Sequence, residues 1–333
     1  MRVVEVVRPG GPEVLVAAER PIPAPAPENV VIQTEFAGVN FADLWARLNP
    51  NASARAVPGI EVAGRVHALG TEVDGFAVGD RVVGLPYFAL GGYAECVEVP
   101  ATHVLPVPDD IALDIAAAIP LNYLTAYIAL VRVAQVRPGE RVLIHAAAGG
   151  VGLAAVQLAA AAGAHVIATA SPPKHDFLRQ QPVVESVIDY NDPSWDEQVR
   201  EVSGGGVDVV VDGIGEDGFS KSLRTLVFGG RLAAFGLTSA MTSSTSPSVA
   251  ENLDVSLQIP FDPLFENALS VGGVTGDAPP ERLAEWLALL FAMCARVEIA
   301  PHIGERFPLE RAADAHRALH ERRNIGKVLL EVG

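Results

Sequence analysis

The residues in this chain best placed to do chemistry begin with RVLIHAAAGGVGLAAVQLAA, 141–160. Ala147, Gly149 and Gly152 take the three small-residue positions of a G-x-G-x-x-G turn, with alanine at the first. Such a turn lets a pyrophosphate approach the backbone and gives the next helix a close seat on the sheet. The helix N-terminus then offers free N–H groups and positive potential to the phosphates. A glycine triplet alone is weak. This one follows a strand-like run, opens an Ala-rich helix and precedes a second strand-like run, HVIATA. That context predicts dinucleotide binding.

The end of that second run decides which dinucleotide. NAD needs an Asp or Glu there for the ribose hydroxyls. The chain reads Thr169, Ala170, Ser171 and then Lys174, with no carboxylate before Asp176. A hydroxyl and an ammonium suit a 2′-phosphate, so NADPH is the expected cofactor. The competing explanation is that Lys174 is a solvated residue in a helix's first turn.

Other reactive side chains are sparse. The chain has 2 cysteines, Cys96 and Cys294, both in apolar runs and without an evident base. His316 and His320 share a helix face, but AADAHRALHERR lacks the HExxH pattern and reads as a solvated helix. His145 reads as a packing residue at a strand end, and Asp109-Asp110 as a helix start. No metal site is expected.

These residues need two kinds of element to hold them. Up to about residue 120, short β-like runs (VVEVV, NVVIQTEFAGV, EVAGRVHALG, YAECVEVP) alternate with Gly and Pro turns, as in an antiparallel β-domain. FADLWARL within it has helical spacing. From Arg141 apolar strands alternate with amphipathic stretches, the pattern of a parallel, doubly wound sheet. The end of the chain is expected to return to the first domain. The small polar segment 239–248 reads as a surface loop, or less simply as a substrate lid. The 333 residues suit two domains; half are hydrophobic and 19% are charged, which excludes disorder. A formal charge of −16 disfavours nucleic acid and anionic membranes as partners. The N-terminus lacks a signal layout and no apolar run is uninterrupted enough to span a bilayer, so a soluble cytoplasmic protein is expected.

Blocks along nearly the whole chain, GVNFADL (38–44), PGIEVAGRV (58–66), VGDRVVG (78–84), GGYAECVEVP (91–100), LNYLTAY (121–127), AAAGGVG (146–152), VDVVVDGIG (207–215) and GKVLL (326–330), resemble the quinone oxidoreductase branch of the medium-chain dehydrogenases/reductases. The LNYLTAY form is similar to the vesicle amine transport protein-like subgroup. The resemblance implies a GroES-like β-domain (1–122), a Rossmann domain (123–265), and a last segment (266–333) that adds the Rossmann edge strand and returns to the first domain. It implies a homodimer through that edge, LSVGGV (269–274). Zinc-dependent relatives carry a Cys and a His–Glu pair where this chain has Asn40 and Ile60-Glu61. The four-cysteine zinc lobe is absent too, so the resemblance implies a zinc-free enzyme.

Carried over by position, Asn40 would orient the nicotinamide or a substrate oxygen, unless it only stabilises a turn. Thr125 and Tyr127 would line the nicotinamide pocket, although Tyr127 equally fits a buried helix position. Trp45 would stand at the pocket mouth. The cofactor would meet Ala147, Gly149, Gly150, Val151, Gly152, Ser171, Lys174, Tyr190, Phe235, Asn324 and Lys327. The implied reaction is hydride transfer from NADPH to a small electron acceptor, a quinone or an enone. The alternatives are an enoyl-thioester reductase or tailoring enzyme of lipid or polyketide metabolism, and a non-catalytic, crystallin-like NADPH-binding protein.

Overall fold

The early β-like runs pair antiparallel, as their alternation and turn residues require. A computed structural model describes residues 1–48, 55–215, 217–236, 261–276 and 278–333. The 239–248 segment lies outside the described residues. Strands β1 (Arg2–Val6) and β2 (Leu15–Glu19) form a ribbon. There follow β3 (Asn29–Val39), α1 (Phe41–Leu48), β4 (Val62–Leu69), β5 (Arg81–Gly84), β6 (Cys96–Pro100) and β7 (Val104–Pro106). Helices α2 (Leu113–Ala117) and α3 (Pro120–Tyr127) lead into the second half.

That half alternates as expected: β8 (Arg141–Ile144), α4 (Gly150–Ala161), β9 (His165–Ala170), α5 (His175–Arg179), β10 (Val184–Asp189) and α6 (Trp195–Val202). It continues with β11 (Val207–Asp212), α7 (Asp217–Arg224), β12 (Leu226–Ala234), α8 (Phe261–Glu266) and β13 (Ser270–Gly273). The six strands lie parallel in the order β10-β9-β8-β11-β12-β13. In chain order this is 3-2-1-4-5-6, the dinucleotide-binding arrangement, whose crevice opens between the first and fourth strands. Its interior strands are apolar on both faces because helices cover both.

The last segment goes home. After α9 (Pro280–Ala295), β14 (Ile303–Pro308) and α10 (Ala312–His320), β15 (Lys327–Glu331) pairs antiparallel with β3. This makes a seven-stranded sheet, β14-β15-β3-β4-β5-β7, with β6 also paired to β3. The expected GroES-like and Rossmann architecture is present.

Two close approaches shape the glycine turn, and the second joins the halves. A Cβ on Gly152 would stand 2.6 Å from the Ala147 Cα and 2.3 Å from the Ala146 carbonyl oxygen, so only glycine lets α4 sit on the turn after β8. The Gly326 N–H donates to the Ala148 carbonyl at 2.8 Å, and Gly149 and Gly326 form a parallel bridge. Gly326 adopts φ +70, and a Cβ there would meet the His302 carbonyl oxygen at 2.3 Å. The loop that carries Asn324 and Lys327 is thereby pinned onto the glycine turn.

Candidate active site

A cavity of about 380 Å³ lies between the two domains, at the carboxyl ends of β8, β9 and β11. The glycine turn forms one wall through Gly149, Gly150, Val151 and Gly152. No side chain caps α4, so its first N–H groups are left for a ligand. Ala147 does not face the cavity. It is fully buried beneath the turn, where it packs against Gly152 as the first fingerprint position should. Phe235, with its ring edge close against Gly213, lines the far wall.

Ser171, Lys174 and Tyr190 meet at one end. The Lys174 ammonium donates to the Asn324 carbonyl at 2.6 Å, joining the end of β9 to the returning loop. Burial, with the Arg322 charge nearby, holds its pKa below the ordinary lysine value. Arg322, which sequence reasoning missed, lines the same cavity. The available signal was its place in the basic pair Arg322-Arg323 directly before Asn324. The Arg322 charge beside Lys174 favours an anion at the Lys174 ammonium. Asn324 lines the cavity and also donates its Nδ2 to the Gly326 carbonyl at 3.0 Å, bracing the loop. Free helix-end donors, a hydroxyl and two cations fit the pyrophosphate and 2′-phosphate of NADPH.

Asn40 and Thr125 line the opposite end, but Tyr127 and Trp45 do not. Residues two apart on a helix diverge in direction. With Thr125 on the cavity side, Tyr127 turns away and packs against Trp286, ring centroids 6.0 Å apart. Trp45 is 37% exposed on the outer face of α1, which buries Asp43, Leu44, Ala46 and Arg47 instead.

Asn40 is embedded in a buried polar cluster. Its Oδ1 accepts from the Lys327 ammonium at 2.6 Å, and its Nδ2 donates to Glu61 Oε1 at 2.9 Å. Lys327 also donates to Glu61 Oε1, whose other oxygen accepts from the Leu121 N–H at 2.8 Å. Lys327 lines the cavity, where the resemblance has it meet the cofactor, and its ammonium is held by these two side chains. Sequence could have flagged the pair: Glu61 directly precedes the apolar run Val62-Ala63-Gly64 and Lys327 directly precedes Val328-Leu329-Leu330.

Behind Asn40, Asp43 accepts from the Asn40 N–H at 2.8 Å, the Gly59 N–H at 3.1 Å and the Tyr93 hydroxyl at 3.3 Å. Burial pushes its pKa up to about 7 despite those N–H donors. The Tyr93 oxygen lies 2.9 Å from His316 Nε2. With the tyrosine proton directed at Asp43, Nε2 must carry the imidazole proton, leaving the buried Nδ1 without a partner. Burial, with the Arg47 charge nearby, lowers the His316 pKa to about 3. His316 therefore belongs to the core, a correction to its reading as a solvated helix residue. The signal was its place at i+4 from Ala312 and i−3 from Leu319, both buried.

His145 also touches the cavity. Its ring nitrogens meet Thr169 Oγ1 at 2.9 Å and Ser222 Oγ at 3.0 Å, while Ser222 donates to Asp212 Oδ2 at 3.0 Å. The carboxylate meets the serine rather than the histidine, so this is a buried brace between β8, β9 and β11 and lacks nucleophile geometry.

The sequence falls within two family patterns: an alcohol dehydrogenase GroES-like domain over residues 26–109 and a zinc-binding dehydrogenase domain over 150–291. It is 35% identical to a quinone oxidoreductase of Pseudomonas aeruginosa, over 96% of each chain. It is 34% identical to the human synaptic vesicle membrane protein VAT-1 homolog, over 93% of this chain and 81% of that one. The chain belongs to the zinc-free quinone oxidoreductase and VAT-1-like medium-chain dehydrogenases/reductases. Its backbone is similar to the Escherichia coli quinone oxidoreductase complexed with NADPH, with a TM-score of 0.88, 31% identity and full coverage of both chains.

The zinc named in one family pattern does not fit this site. Among the described residues no group of three or more His, Cys, Asp or Glu could hold a metal. At Asn40 the carboxylate bonded to its side chain, Glu61, already carries a lysine, and Asp43 is taken up by two backbone N–H groups and the Tyr93 hydroxyl. Among the described residues no helix is long and apolar enough to cross a membrane.

Proposed function

We propose that this protein is an NADPH-dependent, zinc-independent reductase acting on a quinone or an α,β-unsaturated carbonyl compound. The observation that carries this reading is one continuous cavity. Lys174, Arg322 and the uncapped α4 terminus lie at its phosphate end; Asn40 and Thr125 lie at the other. When bound, the nicotinamide supplies the hydride. The chain's own work is to bind, orient and exclude water. Lys174 and Ser171 hold the 2′-phosphate, and the Asn324–Gly326 loop closes the pyrophosphate wall. Asn40 offers an N–H to the acceptor oxygen as it gains negative charge. Water can complete the reduction by protonating the hydroquinone anion or the enolate.

The test is loss of NADPH absorbance against a small benzoquinone, an α,β-unsaturated ketone and an enoyl thioester, with NADH as control. Turnover of the first or second supports the reading, and turnover of the thioester alone moves the enzyme to lipid or polyketide chemistry. NADPH binding without oxidation by any of the three would rule the reading out.

A homodimer through β13 belongs to the same proposal. Among the described residues that strand is the last of its sheet, and Phe228 on the neighbouring β12 is 76% exposed. A sheet edge beside an exposed aromatic calls for a partner. Sedimentation at micromolar concentration should give twice the 34.9 kDa chain mass, and a monomer would sink the idea.

A further inference from the structure

Lys327 and Glu61 are 3% and 0% exposed, and both are committed to Asn40. An ammonium can only donate and a carboxylate can only accept. Their contacts therefore fix the Asn40 amide in one orientation, oxygen toward Lys327 and nitrogen toward Glu61. One N–H of the amide is taken by Glu61. The other remains for the cavity that Asn40 lines. Donation from a cation to the amide oxygen draws electron density from the nitrogen and makes the remaining N–H a stronger donor. Were the amide flipped, it would present an acceptor and repel an oxyanion.

Resting on the reading that an acceptor oxygen is seated at Asn40, we propose that Lys327 is a positioning residue that converts Asn40 into an oriented, polarised oxyanion donor. Lys327 is the first residue of β15, Glu61 the residue before β4 and Asn40 the residue after β3. Closure of the seven-stranded sheet assembles the three. The positive charge at the reaction end of the cavity is thus a lysine acting through an amide.

The test uses 4-nitrophenol as an oxyanion probe, with the protein saturated with NADP⁺ so that no turnover occurs. The wild-type protein should lower the apparent pKa of the bound phenol by about one unit, a tenfold gain in phenolate at a fixed acidic pH. Lys327→Met should abolish that gain. Because this substitution strands a buried carboxylate, Lys327→Met with Glu61→Gln is the companion, expected to fold, to bind NADPH as the wild type does and to lack the gain equally. Asn40→Leu should lose the gain alone, with Lys327→Met adding nothing to it, since a residue acting through another shows no separate effect in a double-mutant cycle. Additive losses would mean that Lys327 acts by its field alone, which overturns the proposal. So would a gain retained in Lys327→Met/Glu61→Gln, or no shift in the wild type. A phenolate gain without turnover of quinone or enone would keep this inference and remove the proposed function; turnover with the gain untouched by Lys327→Met would do the reverse.

Discussion

Lys174→Glu should weaken NADPH binding by about 100-fold or more while leaving NADH within roughly threefold, as read by titration calorimetry. The wild-type ammonium is half-buried, fixed on the Asn324 carbonyl and paired in the cavity with Arg322. A charge-assisted contact of this kind contributes about 1.5–3 kcal/mol. Reversal also sets a carboxylate against a phosphate carrying nearly two negative charges. NADH lacks that phosphate, and its ribose hydroxyls accept a carboxylate partner well. Lys174→Gln, which removes the charge without reversing it, should fall between. Equal losses for both cofactors would show that Lys174 only ties the loop to β9 and does not read the phosphate.

The second expectation concerns acid. His316 has a folded pKa of about 3, well below its ordinary value near 6.5. The stability that it gives as a neutral ring is present above pH 6.5 and is lost as pH falls toward 3. Asp43 behaves in the opposite sense. With a folded pKa of about 7 against an ordinary 3.8, its neutral form favours the fold below pH 3.8, and that contribution is lost as pH rises to 7. Between about pH 4 and 6.5 the two slopes oppose, each at most roughly 1.4 kcal/mol per pH unit. Neither shift is caused by the other group: Arg47 faces His316, while Lys327 and Glu61 face Asp43. The wild type should thus be nearly flat across this window. Measured by urea unfolding at pH 4.5, 5.5, 6.5 and 7.5, His316→Gln should gain stability relative to the wild type as pH falls. Asp43→Asn should lose it. Parallel curves for all three proteins would refute the assignment.

How much of this was legible in the sequence depends on the range of the signal. The glycine turn and the strand alternation are local signals, and the turn follows β8 as the sequence implied. Ser171, Lys174 and Asn40 line the cavity. Trp45 and Tyr127 were misplaced because position in a motif does not fix helical phase, and α1 inverts expectation by burying Asp43 and Arg47 while exposing a tryptophan. Asp43 and Arg322 were missed, and Glu61 was noted only beside a missing histidine. The lysine that Glu61 meets lies 266 residues away, and the same Lys327 meets Asn40 across 287 residues. Nothing near Lys327 says that its ammonium will meet an amide from the first domain. What the sequence did carry is the anomaly itself, a charge at the edge of an apolar strand, which must find a partner when buried.

The pairing of β15 with β3 also sets a timetable. While the chain is being synthesised, every strand of the six-stranded sheet has left the ribosome before Lys327 is joined to its neighbour. The strand that completes the other sheet, β15, follows all six of them in chain order. The nucleotide-binding half can therefore take shape around its own contiguous segment, while β3 and β4 wait for β15. A nascent chain that has not reached Lys327 cannot hold the Asn40, Glu61 and Lys327 cluster, so this part of the cavity forms only after the six-stranded sheet has been made.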